Sequence, residues 1–163
     1  MKKEIYEAYS IIGDLTPLCV DCGELCDRAC CEGREDDSDE TGMLLFPSEE
    51  DLFENSSWGH ITDTEYVLDN GRVIKLFVCD EYCDRSQRPL SCRIFPLFYD
   101  LDRGSVITDI RGKGLCPLCF FNTDEEFETD FVTAVDAAFK TLINDEECKS
   151  FISLLNEEFR FYI

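Results

Sequence analysis

The chain has 163 residues, of which 44% are hydrophobic and thirteen are Phe, and its formal net charge is −21. This length and hydrophobic content predict one folded domain with its own core, and they exclude a disordered acidic tail. The charge opposes contact with a phosphate backbone and the sequence has no basic stripe, so we expect no nucleic-acid partner.

Nothing in the sequence indicates a membrane-bound or secreted protein. It contains no run of about 18 apolar residues, and residues 1–10 lack the apolar core of a signal peptide. We therefore expect a cytoplasmic protein with no membrane partner.

Short elements separated by loops are predicted for the first half of the chain. Apolar side chains recur at helical spacing over residues 4–12, which predicts a helix. Six acids and no large apolar residue predict a solvated loop over 32–41. In the segments that follow we expect, in order, a buried strand, a helix and a loop, over residues 43–46, 47–53 and 54–64.

Two β-hairpins are predicted beyond this point. Asn70 and Gly71 lie between apolar and β-branched residues over 66–78, and this pair suits the two positive-φ positions of a type I′ turn. A second hairpin is expected to join residues 97–101 to residues 105–110.

The end of the chain is predicted to be helical. A capping box of Thr123 with Glu126 predicts the start of one helix, and Asn144 with Glu147 predicts the start of another. Cys148 falls on the apolar face of the second helix, where we expect it to be a small buried hydrophobe.

Eleven cysteines and a single histidine set the chemistry of the chain. In a reducing compartment a dense set of cysteines favours metal binding over disulfides, and an odd number cannot pair completely within one chain. Sulfur ligands select zinc, an iron–sulfur cluster or Cu(I). Redox disulfides and inert buried thiols are the alternatives. His60 is expected to be a surface or hydrogen-bonded imidazole.

The segment 19–31 holds five of the cysteines. Cys22, Cys26 and Cys30 recur every four positions, a spacing that places side chains on one helical face with Cβ atoms about 5–6 Å apart. The sulfurs of such a face can converge on one metal ion at about 2.3 Å each. The same spacing also fits a face of crowded thiols.

A short repeat, Cys-x-Glu-x-Cys-Asp-Arg, begins at Cys22 and again at Cys79. Chance agreement at five of seven positions is improbable, so the two similar half-sites suggest a shared four-thiolate site; coincidence is the alternative. The members of this site would be Cys22, Cys26, Cys79 and Cys83. In the alternative, two Cys-x-x-Cys knuckles form one site from Cys19, Cys22, Cys116 and Cys119.

Two further motifs carry chemistry. Arg88 and Arg93 flank Cys92, and either guanidinium would favour a thiolate there or donate to cluster sulfurs; pairing with surface acids is the alternative. The motif Cys116-Pro-Leu-Cys119 looks like a redox dithiol, but the sequence lacks the strand and helix that such folds place around it near a chain start.

The cysteine cluster, residues 42–47 and the segment Arg-Pro-Leu-Ser-Cys-Arg-Ile-Phe-Pro at 88–96 resemble the YkgJ-like family of zinc- or iron-chelating domains. The likeness covers residues 17–118. Carried over position by position, it implies eight metal ligands: Cys22, Cys26, Cys30, Cys31, Cys79, Cys83, Cys92 and Cys116. If the repeat forms one site, the ligands left for a second site are Cys30, Cys31, Cys92 and Cys116.

Together these features predict an α+β fold over residues 1–163. We expect a small metal-centred domain with β-hairpins, irregular cysteine-rich loops and a helical segment at 122–163 packed on it. The predicted function is the binding of zinc or iron, the iron as single ions or as an iron–sulfur cluster. The alternatives are an iron–sulfur redox or methyl-transfer component with a protein partner, and an interaction module whose metal is structural. No catalytic residue can be identified, which leans against an enzyme.

Overall fold

Helices and strands alternate along the chain in the computed structural model, which describes residues 1–32, 42–79, 83–121 and 126–159. The two sheets are small and antiparallel, so the mixed helix-and-strand character predicted from the sequence is confirmed. In these ranges no helix combines the length and the apolar character required to span a bilayer. The acidic loop predicted over 32–41 lies, apart from Glu32, outside the described residues.

The described residues form five helices and five strands. The helices are α1 (Lys3–Ile12), α2 (Ala29–Glu32), α3 (Leu90–Ile94), α4 (Thr129–Leu142) and α5 (Glu146–Phe159). The strands are β1 (Gly42–Leu44), β2 (Gly59–Val67), β3 (Val73–Cys79), β4 (Leu97–Asp100) and β5 (Ser105–Thr108). Short 3-10 turns join them at Cys22–Glu24, Glu49–Leu52, Arg85–Gln87, Ile110–Gly114 and Pro117–Phe120. The helix predicted at the start of the chain is confirmed as α1, in which Ile5, Ala8 and Ile12 are fully buried.

The larger sheet has the strand order β1–β3–β2, with β3 in the centre and both neighbours antiparallel to it. The strand predicted within 43–46 is present as β1. The loop predicted over 54–64 is wrong, because β2 begins at Gly59, which pairs with Cys79. Only glycine allows this close pairing, since an added Cβ at Gly59 would lie 2.4 Å from the carbonyl oxygen of Val78.

The turn between β2 and β3 is not the predicted type I′ turn. The Gly71 N–H donates to the Leu68 carbonyl oxygen at 2.8 Å, and the Leu68 N–H donates to the Arg72 carbonyl oxygen at 2.9 Å. Gly71 has a φ of 85°, but Asn70 does not adopt the second positive φ that a type I′ turn requires. The Asn70 side chain instead accepts a hydrogen bond from the Arg72 N–H at 3.0 Å. The hairpin itself is confirmed.

The second predicted hairpin is confirmed as β4 and β5, which pair from Leu97 with Thr108 onwards. It packs against α4 through aromatic side chains. The ring of Phe139 stacks on Tyr99, with centroids 5.3 Å apart, and meets the edge of Phe98 at 5.4 Å. The hairpin therefore joins the cysteine-rich half of the chain to the C-terminal helices.

The two C-terminal helices are present, but their starts differ from the predicted ones. The Cys148 N–H donates to Asp145 Oδ1 at 2.9 Å, so Asp145 caps α5 instead of Asn144. The Asn144 amide is occupied at the end of α4, where it donates to the Lys140 carbonyl oxygen at 2.9 Å. The capping box predicted for α4 includes Thr123, which lies outside the described residues, and the helix begins later in the chain.

One main core joins α1, α3, β4, α4 and α5. Phe46, just after β1, enters this core and meets the edge of Phe151 with ring centroids 5.0 Å apart. Cys148 is fully buried there, as predicted for a small hydrophobe. A second, smaller cluster comprises Leu45, Phe53 and Phe77, and Trp58 packs against it. Phe77 belongs to β3, the central strand of the larger sheet.

Candidate metal centre

Five cysteines from separate parts of the chain line one small cavity. Its volume is about 50 Å³, which is enough for at least one water molecule. The cysteines come from α2, from the end of β3, from the residues before α3 and from α3 itself: Cys30, Cys31, Cys79, Cys83 and Cys92. The rest of the lining is Gly42, Met43, Arg88 and Phe95. The structure thus brings together five of the eight predicted ligands.

The other three predicted ligands, Cys22, Cys26 and Cys116, do not line this cavity. The Cys26 thiol donates to the carbonyl oxygen of Cys22 at 3.6 Å. Burial, with smaller contributions from the nearby Asp21 and Cys116, raises the pKa of Cys22 to about 11. These three cysteines therefore lie outside the lining of the five-thiol cavity, although Cys22 is near enough to Cys30 to act on it electrostatically.

Neither predicted grouping of four thiols is reproduced as a whole. Cys79 and Cys83 share the cavity with cysteines other than the repeat partners expected for them. In the knuckle arrangement, Cys116 and Cys119 are indeed paired, because the Cys119 thiol donates to the Cys116 sulfur, and this bond lowers the pKa of Cys116. Cys19, however, is exposed.

The backbone between Cys26 and Cys30 is not helical throughout, so Cys22, Cys26 and Cys30 do not share one helix. Asp27 and Arg28 are both in the left-handed region, with φ values of 52° and 58°. Residues with a Cβ disfavour this region, at a cost of about 1–3 kcal/mol each. Cys22 therefore lies in a 3-10 turn and Cys30 in α2. The single helical face predicted for the evenly spaced cysteines is wrong.

Arg93 fastens α3 to the backbone of its neighbours. Its guanidinium donates to three carbonyl oxygens, those of Arg88 at 3.1 Å, Gly13 at 3.3 Å and Ser86 at 2.5 Å. It also lies over the Tyr9 ring, 4.7 Å from the centroid. These contacts hold the helix of the cavity in place, and they involve neither the sulfurs nor the surface acids that the sequence suggested as partners.

Arg88 is the cation at the cavity. Its side chain hydrogen-bonds the thiol of Cys83, and its charge also acts on Cys31. Burial raises the pKa of Cys83, and Arg88 opposes part of that rise. Arg88 Nε is buried and has no hydrogen-bond partner within the described residues, so the guanidinium has an unused donor.

The thiols of the cavity differ in acidity. A hydrogen bond from Cys30 lowers the pKa of Cys31, and the guanidinium groups of Arg88 and Arg28 act in the same direction against burial. The same hydrogen bond, together with burial, raises the pKa of Cys30. Burial raises the pKa of Cys92 well above its ordinary value, and the neighbouring sulfurs add to this. Binding of a metal here would have to displace thiol protons.

Glu49 is a fully buried carboxylate that fixes the helix of Cys92 from the side of the core. Its Oε1 accepts hydrogen bonds from the Leu90 N–H at 2.6 Å and the Tyr9 hydroxyl at 2.5 Å, and its Oε2 accepts one from the Phe46 N–H at 2.8 Å. Burial raises the pKa of Glu49, and these three donors oppose the rise. One side chain thus ties α1 and the start of α3 to the segment after β1.

Within the described residues, no three or more His, Cys, Asp or Glu side chains are arranged so that they could hold a metal ion as they stand. The five thiols surround a space and would have to move inward to share one coordination sphere. The donor set itself fits zinc or iron, because it is all sulfur. The unused Arg88 Nε fits as well, because thiolates accept hydrogen bonds from such a donor. His60 is exposed on β2 and does not line the cavity.

Comparisons with known proteins assign no family to this geometry. No family model, no curated protein and no solved structure matches the chain. The resemblance to the YkgJ-like family therefore stays a prediction from the motifs within residues 17–118.

Proposed function

We propose that the protein binds zinc or iron through cysteine thiolates at the cavity between α2, β3 and α3. The observation that carries this proposal is the convergence of five thiols, from segments far apart in sequence, on one small cavity beside a guanidinium. Titratable groups gathered in this way are typical of functional sites. Inert thiols would be expected to lie dispersed in the core, as Cys148 does.

Four of the five thiols are sufficient for tetrahedral sulfur coordination. Cys31 interacts electrostatically with Cys83 and with Cys92, and Cys92 also interacts with Cys79. We assign these four residues as the ligands. Cys30 is adjacent to Cys31 in the sequence, and two adjacent side chains are difficult to place on one ion, so it is left outside the set.

The charge of such a site explains the position of Arg88. Four thiolates and one divalent ion carry a net charge of about −2, which is unfavourable in a protein whose formal charge is already −21. The guanidinium at the cavity wall offsets part of this charge, and its donors can reach sulfur. A bound metal would hold the ligand-bearing segments together, which is the chemistry that structural zinc supplies in small domains.

The test of this proposal is the metal content of serine variants. The variants Cys83→Ser and Cys92→Ser are each expected to lose the same metal equivalent, and the double variant is expected to lose no more than either single one. Elemental analysis of the purified proteins gives the stoichiometry directly. Cys30→Ser is expected to keep the equivalent that Cys31→Ser loses.

Two control variants separate this assignment from the other cysteines. Cys19→Ser changes an exposed thiol, and Cys116→Ser changes a thiol outside the cavity; both are expected to keep the metal equivalent of the cavity. Full metal content in Cys92→Ser, together with a loss in Cys116→Ser, would contradict the assignment.

The identity of the metal is tested by the colour of the protein purified with and without oxygen. Colourless protein with stoichiometric zinc supports a chelating or structural role. Brown protein with visible absorption supports an iron–sulfur cluster, and with it the alternative of a redox or methyl-transfer component.

A further inference from the structure

A pair of thiols lies outside the cavity of the proposed metal site. Cys116 and Cys119 are buried, and the Cys119 thiol donates a hydrogen bond to the Cys116 sulfur. Their backbones are joined as well, because the Cys119 N–H donates to the Cys116 carbonyl oxygen at 3.0 Å. Residues three apart on one turn are neighbours, so these sulfurs need little backbone movement to form a disulfide.

The pair lies beside an open surface cavity of about 610 Å³, which Cys119 lines although only 3% of its surface is exposed; Cys116 is 6% exposed and does not line this cavity. Phe120 lines the same cavity with 70% of its surface exposed, which offers an apolar contact to an incoming molecule. Gly112 leaves the space that the Cys119 sulfur occupies, since an added Cβ there would lie 2.5 Å from Cys119 Sγ.

We propose that Cys116 and Cys119 form a redox couple that reduces the disulfide of another molecule and becomes an intramolecular disulfide. A second metal site is the competing assignment. Its third donor would be Cys22, which interacts electrostatically with Cys116 but lines neither cavity. The experiment below separates the two assignments. Neither cysteine lines the five-thiol cavity, so the proposal does not depend on metal binding there.

The exchange proceeds in two steps with a disulfide R–S–S–R as the oxidant. One thiol of the pair loses its proton and attacks one sulfur of the incoming disulfide, which releases RS⁻ and leaves a mixed disulfide on that cysteine. The other thiol then loses its proton and attacks the cysteine sulfur of the mixed disulfide, which closes the Cys116–Cys119 disulfide and releases the second RS⁻. The two thiolates take up the two protons, so one disulfide is reduced to two thiols and the pair is oxidised by two electrons.

The test uses the full-length reduced protein, oxidised glutathione as the disulfide, and alkylation followed by tryptic peptide mapping. Trypsin cuts after Lys113 and Lys140, and the peptide 114–140 contains Cys116 and Cys119 as its only cysteines. We expect this peptide to lose two hydrogens and to resist alkylation. Treatment with dithiothreitol is expected to restore the two hydrogens and the reactivity toward the alkylating reagent. Cys148, fully buried on another peptide, is the internal control and is expected to stay a free thiol.

Two variants test the two-step exchange. Cys116→Ser and Cys119→Ser each lack one thiol of the pair, so a mixed disulfide can no longer be resolved, and at least one of them is expected to carry at least tenfold more glutathione on its remaining cysteine than the wild-type peptide does. The wild-type peptide decides the matter if either variant fails to fold. The proposal is overturned if the wild-type peptide stays a dithiol while exposed Cys19 is modified, or if neither variant takes up glutathione. Loss of a metal equivalent when the pair oxidises would also overturn it, in favour of a second metal site, and would leave the five-thiol cavity untouched.

Discussion

Removal of the metal by a strong chelator is expected to lower the melting temperature of the protein by about 10–20 °C. Structural zinc binds small cysteine-rich peptides with about 10–16 kcal/mol, and this free energy is available only to the folded chain. The emptied site can relax and recover part of this free energy, so we take the net loss of folding stability as about 5 kcal/mol. The shift then follows from roughly 2–4 °C per kcal/mol for a chain of this size. Thermal melts followed by circular dichroism measure the shift.

The control for this experiment is the double variant Cys83→Ser/Cys92→Ser. It lacks two of the proposed ligands, so its melting temperature is expected to be low already and to change little when the chelator is added. Superimposable melts of the wild-type protein, with elemental analysis showing that the metal has gone, would mean that metal binding does not stabilise this fold.

Replacement of Glu49 by Gln is expected to cost about 1–3 kcal/mol of stability, the penalty for one buried polar group left without a partner. Both carboxylate oxygens of Glu49 accept hydrogen bonds from backbone N–H groups. An amide keeps only one accepting oxygen, so either the Phe46 N–H or the Leu90 N–H loses its acceptor in every orientation of the Gln side chain. Urea unfolding of Glu49→Gln measures the loss.

Glu54→Gln is the matched control, because it makes the same chemical change on an exposed side chain. Its effect is expected to stay within about 0.5 kcal/mol. Because Leu90 begins the helix that carries Cys92, metal affinity is also expected to fall in Glu49→Gln and to be unchanged in Glu54→Gln. Equal stabilities of the two variants would show that the buried carboxylate does not anchor this helix.

The elements with strong periodicity could be predicted from the sequence alone. The apolar stripe of α1 and those of α4 and α5 identify helices because each helix buries one face against the same core. Both hairpins were predictable from turn residues between apolar runs. The start of β2 was not, since Gly59 and His60 become strand only by pairing with β3. That pairing depends on tertiary contacts and not on local propensity.

The candidate site was predictable in its chemistry but not in its grouping. The density of cysteines indicated sulfur chemistry, and five of the predicted ligands line one cavity. The four-residue spacing misled because Asp27 and Arg28 take positive φ, a break in the backbone that the spacing of the cysteines does not reveal. The role of Glu49 had no signal either, because it stands beside Glu50 in a run of acids and differs from it only by burial.

X-ray absorption at the zinc edge of the zinc-loaded protein tests the central claim most directly, because it reports the atoms bound to the metal. A four-thiolate site predicts a shell of four sulfurs at about 2.3 Å, and Cys92→Ser is expected to lose that shell or to replace one sulfur with a lighter atom. A first shell made only of nitrogen and oxygen at about 2.0–2.1 Å would contradict metal binding by the cysteines of this cavity.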